Sequence, residues 1–366
     1  MAGSICCILG AGYSHVAGAP LTRDLFATRD VAVSSEAARR RFQTVWDHYD
    51  TWLAENPSRN SEEYLADLLK HGRGAAWTVN DRYVLSGNDL AETPAIETLG
   101  STFSFPDSPV PTRVIPPFKW AVELLGATLA SPLHADTTVT NFRYGARVMF
   151  PLHCDSHLAF WREVTRKASH VAAITTNYDI LIERGLRHRR MTRVFGPGCY
   201  YGGIPKPQLL WGNQLPWAYQ GNYIELEGAV PVYKLHGSLN WSRSVDGLKL
   251  FQDLRLAFRG GGDAAIIPPI PEKEIPAWLQ PVWSSAEEEL ARAAVWIVCG
   301  YSLPPYDVAI TELLRRTAIV GNLKRILVLD PHASDICCRY SAIAQNVQVM
   351  ALEGLPGGIS TLCEVL

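Results

Sequence analysis

Ser4-Ile5-Cys6-Cys7-Ile8-Leu9-Gly10-Ala11-Gly12-Tyr13-Ser14 is the stretch on which the fold turns. An uncharged, apolar run closed by glycines reads as a strand buried on both faces, the kind found in parallel sheets. So close to the amino terminus, such a strand is expected to be central. Beyond Pro20 a helix is expected. Further buried runs follow at residues 170–175, 230–235, 294–299, 325–329 and 347–352. Between them lie helical patterns. One begins at Asp155 and carries Leu158, Trp161 and Val164; others cover residues 180–186, the stretch after Pro305, and residues 334–344. Ser285-x-x-Glu288 reads as a capping box opening a helix through Ala294. Five or six strands separated by crossovers imply an α/β protein with a Rossmann-like, doubly wound parallel sheet.

Residues 31–168 have another character. Phe42, Val45, Trp46, Tyr49 and Trp52 fall at helical spacing, as do Tyr64, Leu65, Leu68 and Leu69. Five prolines between Gly100 and Pro117 mark a loop or lid. The expectation is a catalytic domain of residues 1–30 and 169–366, interrupted by a mainly helical insertion, 31–168, that serves as lid, interaction surface or both.

With 366 residues, 47% hydrophobic and 19% charged, the chain has enough apolar mass for a substantial core. A formal charge of −2 gives no global attraction to nucleic acid or anionic membranes, so neither is expected as a ligand. The eight cysteines include no Cys-x-x-Cys, which argues against a zinc ribbon and a secreted disulfide framework. Reduced cytoplasm is the expected compartment. The first residues show no basic, then apolar, then small-residue pattern, so no signal peptide is expected, and no apolar run reaches the ~18–20 residues of a membrane span.

In an open parallel sheet, ligands collect beyond the carboxyl ends of the strands. Four polar or glycine-rich segments follow strands here: Gly10–Ser14, residues 175–179, residues 236–241, and residues 300–304. Gly10-x-Gly12 suits close approach of a pyrophosphate to a helix amino terminus, and equally a tight strand-to-helix turn. Asn177 and Asp179 are placed to hold a water and a carboxamide, or to form an Asx turn starting the next helix. His236, at a strand end before a glycine, is a candidate general base or a packing residue. Asp330 suits a ribose diol or a helix cap. The basic run from Arg187 to Arg193 reads as a solvated helix end or as a phosphate or partner contact. Trp211, Trp217 and Trp241 lie near these segments.

Taken in order, the motifs resemble the sirtuin (silent information regulator) superfamily: Gly10-Ala11-Gly12-x-Ser14 with Gly18-x-Pro20, Thr176-Asn177-x-Asp179, Lys234-Leu235-His236-Gly237-Ser238, Gly300-x-Ser302-Leu303, and an acidic strand end at Asp330. The resemblance covers the first thirty residues and roughly 171–352. It implies that NAD+ is bound as substrate. Gly10, Ala11, Gly12 and Ser14 would contact its phosphates, Asn177 and Asp179 its nicotinamide end, and Gly300, Ser302 and Asp330 its adenosine half. Pro20, Leu21, Thr22, Thr176 and Tyr301 would complete the contacts, with His236 as the base and Asn177 and Asp179 beside it in the catalytic set.

Two departures bear on activity. Protein-deacylating sirtuins carry a four-cysteine zinc module after the His-Gly motif, whereas no cysteine lies between Cys199 and Cys299, so no metal is expected. Where the family reads Asp-Phe-Arg, this chain reads Leu21-Thr22-Arg23. The 234–241 and 300–304 segments are similar to bacterial sirtuin-like antiphage effectors that deplete NAD. The resemblance therefore implies an NAD+ hydrolase, homo-oligomeric, controlled by a separately encoded ATPase, nuclease or Argonaute-like regulator. A non-catalytic sensor of NAD or ADP-ribose is the alternative, and a protein deacylase the third reading.

Overall fold

A computed structural model of the chain describes residues 2–29, 31, 36–71, 118–130, 138–141, 146–149, 155–186, 199–204, 229–244, 247–250, 263–267, 275–305 and 307–366. The proline-rich stretch 100–117, the basic run from Arg187 to Arg193, Trp211, Trp217 and Cys154 lie outside the described residues.

The apolar runs form one parallel sheet. Its strands are β1 (Ala2–Leu9), β4 (Ala168–Thr175), β5 (Cys199–Tyr201), β6 (Val230–Lys234), β10 (Val295–Cys299), β11 (Arg325–Leu329) and β12 (Gln348–Leu352), in the order β12-β11-β10-β1-β4-β6-β5. β1 is central, and every neighbouring pair runs parallel. Seven strands stand where five or six were expected, because the three-residue β5 is too short to show a pattern. Register aligns the strand ends: Leu9 pairs with Thr175 and Cys299, Thr175 with Lys234, and Cys299 with Leu329. The segments that follow these five residues therefore emerge along one edge. The chain leaves β1 for β4 on one side and returns to β10 on the other, so strand order reverses at β1, where a crevice opens in this class of sheet.

Helices flank the sheet. They are α1 (Ala11–His15), α5 (Asp155–Lys167), α6 (Leu181–Gly185), α7 (Gln280–Arg292), α8 (Val308–Val320), α9 (Ala333–Ile343) and α10 (Ile359–Val365). Two expectations need correction. Among the described residues no α-helix directly follows Pro20; α1 starts at Ala11, the chain turns at Gly18 with φ 88°, and a single 3-10 turn, Thr22–Asp24, comes next. Nor does Ser285 cap α7. That helix begins five residues earlier, with Pro281 in its first turn, where a missing N–H costs nothing. Its buried stripe, Leu279, Val282, Trp283, Ala286 and Leu290, extends the helical period upstream of Ser285.

A second core sits beside the first. The helices α2 (Glu36–Glu55), α3 (Ser61–His71) and α4 (Phe118–Ala130) bury Phe42, Tyr49, Tyr64 and Leu125 against Phe26, Tyr178 and Leu239. Arg41 makes a bidentate contact with Glu123, at 3.0 and 2.7 Å, tying α2 to α4. The short strands β2 (Thr138–Asn141) and β3 (Ala146–Met149) pair as an antiparallel ribbon. A three-stranded antiparallel sheet, in the order β8-β7-β9, is made of β7 (Gly237–Ser244), β8 (Gly247–Leu250) and β9 (Asp263–Ile266). This sheet was not foreseen, since residues 236–241 follow β6 directly and read as the polar segment at its end. Gly237, at φ 74°, permits it: a Cβ there would collide with the carbonyl of Ala265. Among the described residues, no helix is long and apolar enough to cross a membrane.

Candidate active site

The loops after β1 and β4 are stitched together by short side chains. Thr175 Oγ1 donates to Leu9 O at 2.7 Å and accepts from the Asn177 amide at 3.0 Å. Asn177 Nδ2 then donates to Gly10 O at 2.8 Å and to Ser14 Oγ at 2.9 Å. Both amide hydrogens are thereby committed, which leaves Oδ1 as the side chain's acceptor for a ligand. Asp179 Oδ1 accepts from Leu181 N at 2.9 Å, the Asx geometry that starts α6. Starting a helix and lining the cleft are both roles of this one carboxylate.

Beneath this loop lies a buried polar network. Lys234 Nζ donates to the Asp179 carbonyl and, at 3.1 Å, to Glu183 Oε1; both side chains of this ion pair are wholly buried. Ser238 Oγ donates to Tyr178 O at 3.1 Å, and Leu239 N to the same carbonyl at 3.0 Å. Tyr178 Oη reaches Ile267 O at 2.8 Å. The backbone of residues 178–179 is thus fixed from β6 and β7, and the Tyr178 side chain by Ile267, just after β9.

One cleft opens above this scaffold. Thr176, Asn177, Asp179 and His236 line it with Ala11, Ser14, Pro20 and Thr22, and with Gly300, Tyr301 and Ser302. Its cavity volume of about 100 Å³ is on the scale of a single planar ring. Eleven of the fifteen expected site residues therefore meet at one place. Leu21, Gly10, Gly12 and Asp330 are not among the lining residues. The two glycines abut Gly300: a Cβ on either would overlap the Gly300 backbone, and their amides donate to Cys299 O and Gly300 O at 3.1 and 3.0 Å. Asp330 Oδ1 accepts from His332 N at 2.8 Å, an Asx turn that leads into α9, whose N-cap is His332.

Tyr178 and Pro304, from the segments 175–179 and 300–304, line the cleft as well, and so do Leu25, Glu62, Leu129 and Asp307, which lie outside all four segments. Glu62 stands in the first turn of α3, whose start is fixed by Asn60 Oδ1 accepting from Glu62 N and Glu63 N. Nothing in the spacing of the helical region singled it out. Asp307 directly precedes α8, in the stretch after Pro305 expected to be helical, and no motif marks it. Its Oδ2 accepts from Tyr301 Oη at 2.8 Å, and its Oδ1 lies 3.9 Å from His236 Nε2. Burial, with the Asp307 carboxylate adding to it, pushes the Tyr301 phenol far above its ordinary range, so Tyr301 remains a proton donor to Asp307. Three carboxylates and one imidazole are the ionisable groups of the cleft besides its two tyrosines; among the described residues no lysine or arginine lines it. Such a wall favours a ligand that presents hydrogen-bond donors or positive charge. Among the described residues, no group of three or more His, Cys, Asp or Glu side chains is arranged to hold a metal ion.

No protein-family model matches the chain, and no curated protein matches it. Solved structures similar to it include a Sir2 homologue mutant in complex with 2′-O-acetyl ADP ribose, at 14% identity over 99% of this chain and 91% of that chain, with a TM-score of 0.40. A Sir2 homolog–NAD complex aligns at 14% identity over 99% and 87%, with a TM-score of 0.36. A Sir2 homologue mutant–ADP ribose complex aligns at 13% identity over 99% and 89%, with a TM-score of 0.38.

Proposed function

We propose that the cleft binds oxidised NAD and hydrolyses the bond between nicotinamide and ribose. The observation that carries this reading is that Asn177, Asp179 and His236, drawn from the ends of β4 and β6, line one ring-sized cavity at the reversal of strand order. A wall that carries three carboxylates and, among the described residues, no lysine or arginine suits the cationic pyridinium of the oxidised dinucleotide. Nicotinamide leaves as a neutral molecule from a cationic precursor, so the transition state resembles an oxocarbenium ion. It needs electrostatic support and a positioned water more than a strong acid. Asn177 Oδ1 orients the water, His236 accepts its proton, and Asp179 steadies the positive charge developing on the sugar.

The order of the motifs, and the similarity of the 234–241 and 300–304 segments to bacterial antiphage effectors, support NAD depletion as the physiological output. In that setting NAD+ is substrate, no metal takes part, and a homo-oligomer under a separately encoded regulator keeps the enzyme silent until triggered. The helical part, 31–168, is then lid and interaction surface, inserted into a catalytic domain of residues 1–30 and 169–366.

Chromatography of NAD incubated with the purified protein, alone and with the proteins encoded beside it, tests the reading. Equal yields of nicotinamide and ADP-ribose, independent of any acyl-lysine peptide, are expected. Binding without turnover would make the protein a nucleotide sensor. Release that requires an acylated peptide would make it a deacylase.

A further inference from the structure

Asp307 immediately precedes α8, the position from which an aspartate side chain ordinarily accepts hydrogen bonds from the first helical N–H groups. It makes no such bond. The carboxylate turns across the loop instead, toward Tyr301 Oη at 2.8 Å and His236 Nε2 at 3.9 Å. Both His236 and Asp307 are buried, and both line the cleft that holds Asn177 and Asp179. A residue needed only to start a helix would have capped it. Forgoing the cap and burying a charge are two costs that a second role must offset.

We propose that Asp307 is the positioning residue for His236, closing a Tyr301–Asp307–His236 chain that selects which imidazole nitrogen takes the proton. The inference rests on the hydrolysis proposed above. A carboxylate facing Nε2 favours the tautomer with its proton on Nε2 and makes Nδ1 the acceptor. As the water oxygen bonds to the ribose carbon, the carbon–nitrogen bond breaks and its electron pair leaves with nicotinamide. The water proton passes to Nδ1 and afterwards to solvent. Positive charge on the ring is met by Asp307, and Tyr301 keeps that carboxylate hydrogen-bonded while it faces the ring. The separation of 3.9 Å is that of an ion pair, and contacts of this kind shorten once substrate fills a site. The other ionisable groups sharing the cleft with the imidazole are Asp179 after β4, Glu62 on α3, and the phenols of Tyr178 and Tyr301.

Asp307→Asn tests this with two readouts. Ring-proton NMR follows protonation of His236 without turnover, its signal assigned by loss in His236→Gln. In Asp307→Asn the titration midpoint is expected at lower pH than in the wild type, because the imidazolium has lost its counter-charge. In nicotinamide release, kcat is expected to fall about a hundredfold or more, with KM changed less than about threefold. The acid limb of the rate profile moves to lower pH, and Asp307→Glu restores part of kcat. An unmoved midpoint, or kcat within about twofold of wild type, overturns the proposal. Absence of turnover in the wild type would instead defeat the hydrolysis reading, and the NMR comparison would still decide the role of Asp307. If circular dichroism shows Asp307→Asn to be unfolded, Tyr301→Phe replaces it. Loss of that donor leaves more of the Asp307 charge for the ring, so the His236 midpoint should rise, and an unchanged midpoint overturns the chain.

Discussion

Asn177 has both hydrogens of its amide committed to Gly10 O and Ser14 Oγ, so its substitution acts on two levels. In Asn177→Ala the water-orienting oxygen disappears and the Gly10 carbonyl loses its partner. Nicotinamide release should vanish, and denaturant unfolding should show a loss of about 1–3 kcal/mol, short of unfolding the protein. His236→Ala should abolish release with circular dichroism unchanged. Full turnover by either variant would remove that residue from the reaction. These two residues were legible beforehand because each follows a buried apolar run directly, and strand ends are where side chains meet ligands. Asp307 and Glu62 were not. Asp307 stands beside His236 although it is 71 residues away in sequence, after a segment in which Leu303 takes a left-handed φ of 51°. Glu62 reaches the cleft only because the second core docks α3 beside residues 20–25, a tertiary fact that no local spacing encodes.

The elements around the cleft predict their own sensitivities. β6 supplies Lys234 and α6 supplies Glu183, an ion pair removed from water on both sides. Lys234→Met leaves a buried carboxylate without its cation and should cost about 3–5 kcal/mol in urea unfolding. Adding Glu183→Leu should recover much of it, and a double variant no more stable than the single one would show that the pair is not the source of the loss. α5 is held to α1 by His157, which stacks on Tyr13 at 3.9 Å and bonds Tyr13 O through Nε2 at 2.8 Å. Burial lowers the His157 imidazole from 6.5 to about 4. The unfolded chain therefore takes up a proton before the native one does. Its contribution is complete above pH 6.5 and lost as the pH falls toward 4, on the order of 3 kcal/mol across that window. His157→Phe, which keeps a ring against Tyr13, should flatten the decline in stability measured over those pH values; an equally steep decline would assign it to other groups. β1, β4, β6, β10 and β11 were readable to within two residues because strands covered on both faces are continuous apolar runs; the edge strand β12, exposed at Gln348 and Ala351, was readable from its apolar composition alone. β7 was not, since its alternation of polar residues serves hydrogen bonds to Tyr178 O and Tyr201 rather than solvent.

At the scale of the molecule, one cleft joins two cores. The sheet core supplies Asn177, Asp179 and His236, while the helical core supplies Leu25, Glu62 and Leu129 to the same wall. The parallel sheet follows from the apolar runs. The seam between the cores does not, because it depends on Ala17, Ala19, Leu25, Phe26, Tyr178 and Leu239, which follow strands of the sheet in sequence yet pack into the helical core. Substitution of Glu62 by Gln should therefore raise the KM for NAD+ severalfold, with little change in kcat, if the helical core acts through the charge of the wall. An unchanged KM in steady-state kinetics would confine its contribution to shape. The claim beneath all of these is that the nicotinamide–ribose end of the dinucleotide lies between Asn177 and His236. A crystal structure of the His236→Ala variant with NAD+ measures this directly. The anomeric ribose carbon should lie within about 4 Å of Asn177 Oδ1 or of a water bound to it, facing the vacated imidazole position. A dinucleotide seated elsewhere, or with its nicotinamide pointing out of the cleft, would contradict it.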